Sequence, residues 1–310
     1  MKTVFIIGAG YVASKAASLL LDEGCSVRLG KRHPERGVAS EIMGRAQIHA
    51  MNVQAPDSYP ESLLNAQVVI YCVASDGFSP EQYRSAYSEG LEKVLRTLRA
   101  HQLLPGHTSK PQRIIFVSST GVFSQDDGSR VDEHSPVEPK AFSGQIMRDA
   151  ELALQKFASS NTGYEICTIR FSGIYGPGRT RMIQEVAAQK PVSAKRWNQW
   201  TNRIHRDDCA RALVHLVMRD QIKTCYVGSD THPASFGEIA TWLAARLGVP
   251  PPTIQDPPIE ATERGAKSSG GLERGGHKQC WSTGLLAEGF RFRFPSYRDG
   301  YESLIGSEGV

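Results

Sequence analysis

Three groups of residues in this sequence carry chemistry in their type and spacing: a glycine-rich turn near residue 10, a pair of cations one strand later, and hydroxyls that follow a buried apolar run. Gly8-x-Gly10-x-x-Ala13 comes directly after Val4-Phe5-Ile6-Ile7 and opens a segment with a helical apolar pattern. In that setting Gly8 allows a tight turn, Gly10 lets the backbone approach a pyrophosphate, and the small Ala13 lets the helix pack close to the strand. The first helical turn, with Tyr11 and Val12, offers unpaired N–H groups and a partial positive charge to phosphate oxygens. A glycine turn serving structure alone is the alternative, but the strand–turn–helix context is the one a dinucleotide site demands.

The second apolar run, Ser26-Val27-Arg28-Leu29, ends at Gly30-Lys31-Arg32. An NAD site places an Asp or Glu about 20 residues after the glycine loop, to hold the ribose 2′-hydroxyl. No acid stands here. Lys31 and Arg32 could instead pair with a 2′-phosphate, Arg32 through its planar fork, which favours NADP with NAD as the alternative. A solvated basic turn is the competing reading.

Elements that position these groups are legible as short apolar runs at 3–7, 26–29, 46–50, 67–73, 113–118, 164–170 and 224–227, with helical patterns at 11–23, 80–102, 138–159, 206–218 and 235–247. Runs buried on both faces and alternating with amphipathic helices predict an α/β fold, a doubly wound parallel-sheet Rossmann fold. In the second helix Tyr83, Tyr87, Leu91, Val94, Leu95 and Leu98 make one stripe, read as core packing against the sheet. Prolines 250–252 and 257–258 and the glycines up to Gly276 predict a loop-rich region within 249–278. The expected division is a dinucleotide-binding part, 1–170 and 200–229, and a smaller, mixed C-terminal substrate lobe, 171–199 and 230–310.

The chain has 310 residues, 40% hydrophobic and 22% charged, so a large core is available and a disordered or fibrous protein is excluded. Net charge is +4 with the cations scattered, which argues against a nucleic-acid partner. The first apolar run is too short for a signal or membrane segment, and a cytoplasmic protein with no membrane association is expected. Six cysteines and nine histidines show no metal-ligand spacing, so neither disulfides nor a metal site is expected.

The sequence resembles the extended short-chain dehydrogenase/reductase superfamily, in its NAD(P)-dependent epimerase/dehydratase branch. The matching stretches are Gly8–Ala13, Ile115-Phe116-Val117-Ser118-Ser119-Thr120-Gly121-Val122-Phe123, Val131-Asp132-Glu133, Arg170-Phe171-Ser172-Gly173-Ile174-Tyr175-Gly176-Pro177-Gly178-Arg179 and Arg203-Ile204-His205-Arg206-Asp207-Asp208, in the family's order. The resemblance implies that Ser119, with Thr120 as a fallback, hydrogen-bonds the reacting oxygen. It also implies cofactor contacts at Asn52, Val73, Ala74 and Ser118, and a nicotinamide lined by Phe171, Gly173 and Ile174. His205, Asp207 and Asp208 start a helix, where a structural role for the carboxylates is favoured by the helix dipole.

One departure bears on activity. Members carry a Tyr-x-x-x-Lys pair after the fifth strand, the lysine lowering a tyrosine pKa that is otherwise near ~10. Aligned on Gly144 and Glu151, those positions here are Ser143 and Met147, with Lys140 and Arg148 out of register. The chain therefore reads as an atypical member. Two functions follow: an NAD(P)-dependent oxidoreductase or epimerase on a small hydroxyl, carbonyl or nucleotide-sugar-like substrate, using Ser119 and Ser143, or a non-catalytic NADP-binding sensor. Arg179, Arg181, Trp197, Trp200 and Trp281 are candidate substrate contacts, and a homodimer through helices 80–102 and 138–159 is expected by analogy with relatives.

Overall fold

The computed structural model describes residues 1–104, 112–255 and 276–306, so Pro257, Pro258 and most of the glycine-rich stretch lie outside the described residues. All seven apolar runs become strands of one sheet: β1 (Thr3–Ile7), β2 (Ser26–Lys31), β3 (Gln47–Ala50), β4 (Val68–Tyr71), β5 (Gln112–Ser119), β7 (Tyr164–Phe171) and β11 (Cys225–Gly228). They pair in parallel in the order β3-β2-β1-β4-β5-β7-β11. The remaining strands are short: β6 (Arg130–Val131), β8 (Gly173–Tyr175), β9 (Trp200–Thr201), β10 (Arg203–His205), β12 (Ala234–Ser235) and β13 (Gln279–Cys280).

The helices are α1 (Tyr11–Asp22), α2 (Glu61–Leu64), α3 (Pro80–Tyr83), α4 (Gly90–Gln102), α5 (Phe142–Ser160), α6 (Arg181–Ala187), α7 (Ala194–Asn198), α8 (Arg206–Met218), α9 (Phe236–Leu247), α10 (Thr283–Ala287) and α11 (Tyr297–Ile305). None among the described residues is long and apolar enough to cross a membrane. Alternation along β1 divides the core. Val4 and Ile6 join Ala13, Ala16 and Leu20 of α1 and Leu213 and Leu216 of α8, whereas Phe5 and Ile7 join Leu91, Val94 and Leu98 of α4 and Leu154 of α5. A strand buried on both faces needs just such a continuous apolar run.

The expected helix 80–102 is divided: α3 and α4 are joined by a wider π-helical turn, Arg84–Glu89. The expected helix 138–159 begins at Phe142, because Pro139 disfavours helical backbone in the residue before it and the chain stays extended through Ala141. A third apolar cluster combines Met182, Ile183 and Val186 of α6 with Phe236, Ile239 and Leu243 of α9 and Tyr297, Tyr301 and Leu304 of α11. The segment after residue 276 serves two layers, since Leu285 and Phe290 pack with the α1 and α8 face. Asp208, fully buried, fastens it there by accepting the N–H groups of Arg293 (2.7 Å) and Phe294 (2.8 Å).

Under the α5 face lies a buried ion pair. Arg170 Nη2 donates to Glu151 Oε2 (2.7 Å), and the Ser118 hydroxyl donates to Glu151 Oε1 (2.5 Å), which joins β5, α5 and β7. Breaking one side of such a pair strands a charge in a poorly polarisable interior and costs about 3–5 kcal/mol, whereas replacing both partners by apolar side chains is often neutral. Glu151→Ala should therefore lower unfolding stability by about 3–5 kcal/mol in urea titrations, and Glu151→Met with Arg170→Met should recover most of that loss. A single variant within roughly 1 kcal/mol of wild type would contradict this role.

Candidate functional site

At the carboxyl ends of β1, β4 and β5 the strand order reverses, and the crevice that opens there is a cleft of about 920 Å³. Gly8 forms its base. Its N–H donates to Gly30 O (2.8 Å), its φ is +105°, and a Cβ on it would lie 2.3 Å from Cys72 O. Gly10 caps α1 without a side-chain hydrogen bond, and a Cβ on it would meet nothing within 4 Å. The turn thus presents bare backbone to the cleft. A pyrophosphate fits this cradle, since amide groups and the dipole of α1 converge on open space.

Of the residues singled out in the sequence, Gly8, Gly10, Tyr11, Val12, Lys31, Arg32, Asn52, Val73, Ala74, Ser118, Ser119, Ser143 and Ile174 line this cleft. Ala13 lies beneath it, buried between α1 and the sheet. Phe171 corrects the expectation of a nicotinamide contact: it is 2% exposed, belongs to the core, and lies where a Cβ on Gly228 would strike its ring at 2.4 Å. Strand alternation turns its side chain into the sheet's packed face, away from the cleft. Gly173 lines a neighbouring, smaller cavity of about 430 Å³.

The basic turn is already engaged. Arg32 Nη1 donates to Asp76 Oδ2 (2.7 Å) in a bidentate, exposed pair, and Lys31 donates to Gly37 O. Arg36, His33 and Asp76 also line the cleft and were not anticipated. Tyr83 and Tyr87, read as core, line it as well, and Tyr87 also packs against the core as expected. Tyr87 accepts the Ser75 N–H (3.3 Å), and burial pushes its hydroxyl pKa up. The signal available was the stripe itself, but the π-helical turn between α3 and α4 shifts the register of these rings in a way periodicity does not encode.

Ser143 and Met147, one turn apart on α5, both face the cleft. The α5 N-terminus is held close because Gly144 sits against Gly121, where a Cβ would lie 2.4 Å from the Gly121 carbonyl oxygen. Lys140 is exposed and Arg148 pairs with Asp149 (2.7 Å). Ser119 stands on the wall shared by the two cavities. Its Oγ accepts the Gly121 N–H (3.1 Å), which leaves the hydroxyl hydrogen to donate elsewhere. Cys72, also in the cleft, has its thiol pushed up to about 12 by burial and stays protonated at neutral pH.

The far wall comes from the Gly-Pro-Gly turn. Tyr11 donates to Pro177 O (2.8 Å), and Arg179 stacks over the Tyr11 ring at 4.2 Å. Arg181 and Trp200 line the smaller cavity. Trp197 lies against Gly237 and Trp281 under Arg130, so these two line neither cavity. His205 caps α8 by accepting the Asp207 N–H (3.2 Å), a task suited to the neutral imidazole that burial enforces by holding its pKa down at about 4. The two aspartates follow it in the first turn. Among the described residues no group of three or more His, Cys, Asp and Glu is placed to hold a metal.

Behind the smaller cavity, burial pushes Asp230 up to about 8; Arg203 and the His232 N–H oppose this shift, and Asp208 and Asp299 add to it. The unfolded carboxyl titrates near ~3.9, so the folded state binds the extra proton and stability falls as pH rises from about 4 to about 8. Asp230→Asn removes this slope, while His205, present in both proteins, cancels from the comparison. The variant should gain several degrees of melting temperature relative to wild type between pH 5 and pH 8, read by scanning calorimetry; a pH-independent difference would refute the assignment.

The family model described as the NAD dependent epimerase/dehydratase family matches residues 4–227. No curated protein matches the chain. Among solved structures, one provisionally named an NAD-dependent epimerase/dehydratase, from Methylobacillus flagellatus, is 30% identical, with 98% of each chain covered and a TM-score of 0.74. The UDP-glucose 4-epimerase of Thermus thermophilus in complex with NAD is 16% identical, with 96% of each chain covered and a TM-score of 0.73. Human epimerase family protein SDR39U1 (isoform 2) with NADPH is 16% identical, covering 98% of this chain and 99% of that one, with a TM-score of 0.74. The last two likenesses bear on the fold alone.

Proposed function

The chain belongs to the NAD dependent epimerase/dehydratase family, and on that premise we propose that it is an NADP-preferring oxidoreductase or epimerase acting on a hydroxyl or carbonyl group. The observation that carries this reading is the position of Ser119 on the wall between the dinucleotide-sized cleft and the smaller cavity. In this reading the Gly8–Ala13 turn receives the pyrophosphate on backbone amides, and Ile174 and Val73 give the cleft apolar walls. A bound nicotinamide supplies or accepts the hydride. Ser119 donates its free hydroxyl hydrogen to the substrate oxygen, and Ser143, on α5 in the same cleft, is the second hydroxyl.

Met147 brings no charge to tune either serine, so the chain's contribution is mainly orientation. Well-oriented reactants can gain roughly 7–11 kcal/mol in this way. NADP preference is supported by Gly30, Lys31 and Arg32 together with the lack of an acid at the end of β2. Arg32 would exchange the Asp76 carboxylate for a 2′-phosphate, keeping its bidentate geometry. Ser143 and Met147 favour a second reading, a sensor that binds NADP without turnover.

Two experiments test this. Replacing Lys31 and Arg32 by alanine should weaken NADPH by about a hundredfold, with NADH changed by less than about threefold, in calorimetric titrations; equal losses would refute the phosphate assignment. Stereospecific transfer of deuterium from labelled NADPH to a panel of aldehydes, ketones and nucleotide sugars should be detected, and Ser119→Ala should cut kcat/KM by about 10²-fold or more. Tight NADPH binding with no transfer to any compound would favour the sensor.

A further inference from the structure

The smaller cavity carries a charge pattern that the hydride-transfer reading does not use. Among the described residues its wall includes Arg181, Arg196 and Arg203 and a single carboxylate, Glu185. Glu185 accepts from Arg181 Nε (2.7 Å) and from Arg196 Nη2 (2.7 Å), so these two guanidinium groups share one counterion. Arg196 is further fixed by stacking at 4.0 Å over the Phe236 ring, which is also part of the wall.

Arg203 is different. Among the described residues it forms no ion pair; its Nη2 meets Met182 Sδ (3.6 Å), its guanidinium lies over the Tyr301 ring at 5.8 Å, and its Nε is buried without a hydrogen-bond partner. Beside it in the wall, Ser172 is 5% exposed and its hydroxyl likewise has no partner. Both atoms are closed to solvent, so they lie beneath the wall and not on its surface. Asp230 acts on Arg203 from outside the wall, but burial pushes its carboxyl up to about 8, so it is a weak counterion at neutral pH. The described lining is therefore net cationic, with Trp200 and Phe236 as apolar parts of the wall.

We infer that this cavity is a subsite for an anionic group of the substrate, a carboxylate or a phosphate, held by Arg203, Arg196 and Arg181, with Ser119 in the same enclosure. A planar guanidinium on the wall matches two oxygens of such a group, and the three arginines together carry more positive charge than Glu185 neutralises. A neutral hydroxyl would satisfy one donor but leave the excess positive charge uncompensated. The inference rests on the reading of Ser119 as the group facing the reacting oxygen: it makes the substrate a compact hydroxy or oxo compound whose acid group lies close to the reacting carbon.

The test is isothermal titration calorimetry of the full chain preloaded with NADPH, using oxalate, inorganic phosphate and UDP as probes. Saturable binding of oxalate or phosphate is expected, and the probe that binds more tightly identifies carboxylate or phosphate as the group. Arg203→Gln should weaken it at least tenfold and Arg203→Lys by less, with NADPH affinity unchanged. Arg181→Gln, at an exposed side chain whose loss leaves the fold intact, should weaken it several-fold and keeps the test valid if Arg203→Gln does not fold. If the protein binds NADPH but neither oxalate nor phosphate, or binds UDP alone, the subsite assignment is overturned while the cofactor reading stands. Undiminished oxalate and phosphate binding in Arg203→Gln overturns it as well. Failure to bind NADPH in the first place would be a failure of the proposed function, seen before any probe is added.

Discussion

The contact on which the site depends is the approach of Gly8 to β4. With φ at +105° and only a hydrogen where a Cβ would lie 2.3 Å from Cys72 O, the chain leaving β1 folds flat against the end of its neighbour. Its N–H is held by Gly30 O of β2 on the other side (2.8 Å). The turn is thereby pinned between β2 and β4, the two strands that flank β1. That pinning sets α1 over one face of the sheet and aims its N-terminus at the crevice where strand order reverses. A side chain at residue 8 would lift the turn, and with it the amide groups that face the cleft.

From that base the site is assembled by elements far apart in sequence. The Gly121–Gly144 approach brings the start of α5 onto the exit of β5, which places Ser143 and Met147 in the cleft that Ser119 also lines. The buried Ser118–Glu151–Arg170 group locks β5, α5 and β7 in register beneath. The parallel pair β8–β10 then carries Gly173 and Arg203 side by side into the smaller cavity. Neutral and charged polar groups are distributed accordingly. Buried His205 is used as an acceptor, whereas the guanidinium groups gather on the cavity wall with one carboxylate among its described residues.

Much of this could be read from residue order. Seven apolar runs became seven parallel strands, because a strand covered on both faces must be continuously apolar, and that pattern survives without knowledge of partners. The glycine turn was legible because its context is local: strand, turn and helix are contiguous. Phe171 and Tyr87 show the limit. Phe171 went wholly to the core, whereas Tyr87 packs against the core with one side and lines the cleft with the other, a division of one ring that periodicity does not encode.

Sequence alone determined the fold class, the strand set, the dinucleotide turn and the residue types at positions 119, 143 and 147. Each is a property of short contiguous stretches, where steric and periodic rules act within a few residues. Only the tertiary structure decided that Ser119 lies between two cavities, that Arg32 faces Asp76, and that Arg181, Arg196 and Arg203 gather in one wall with Glu185. Those facts depend on how separate elements pack, and the burial that leaves Arg203 Nε unpaired arises from contacts between segments with no local signature.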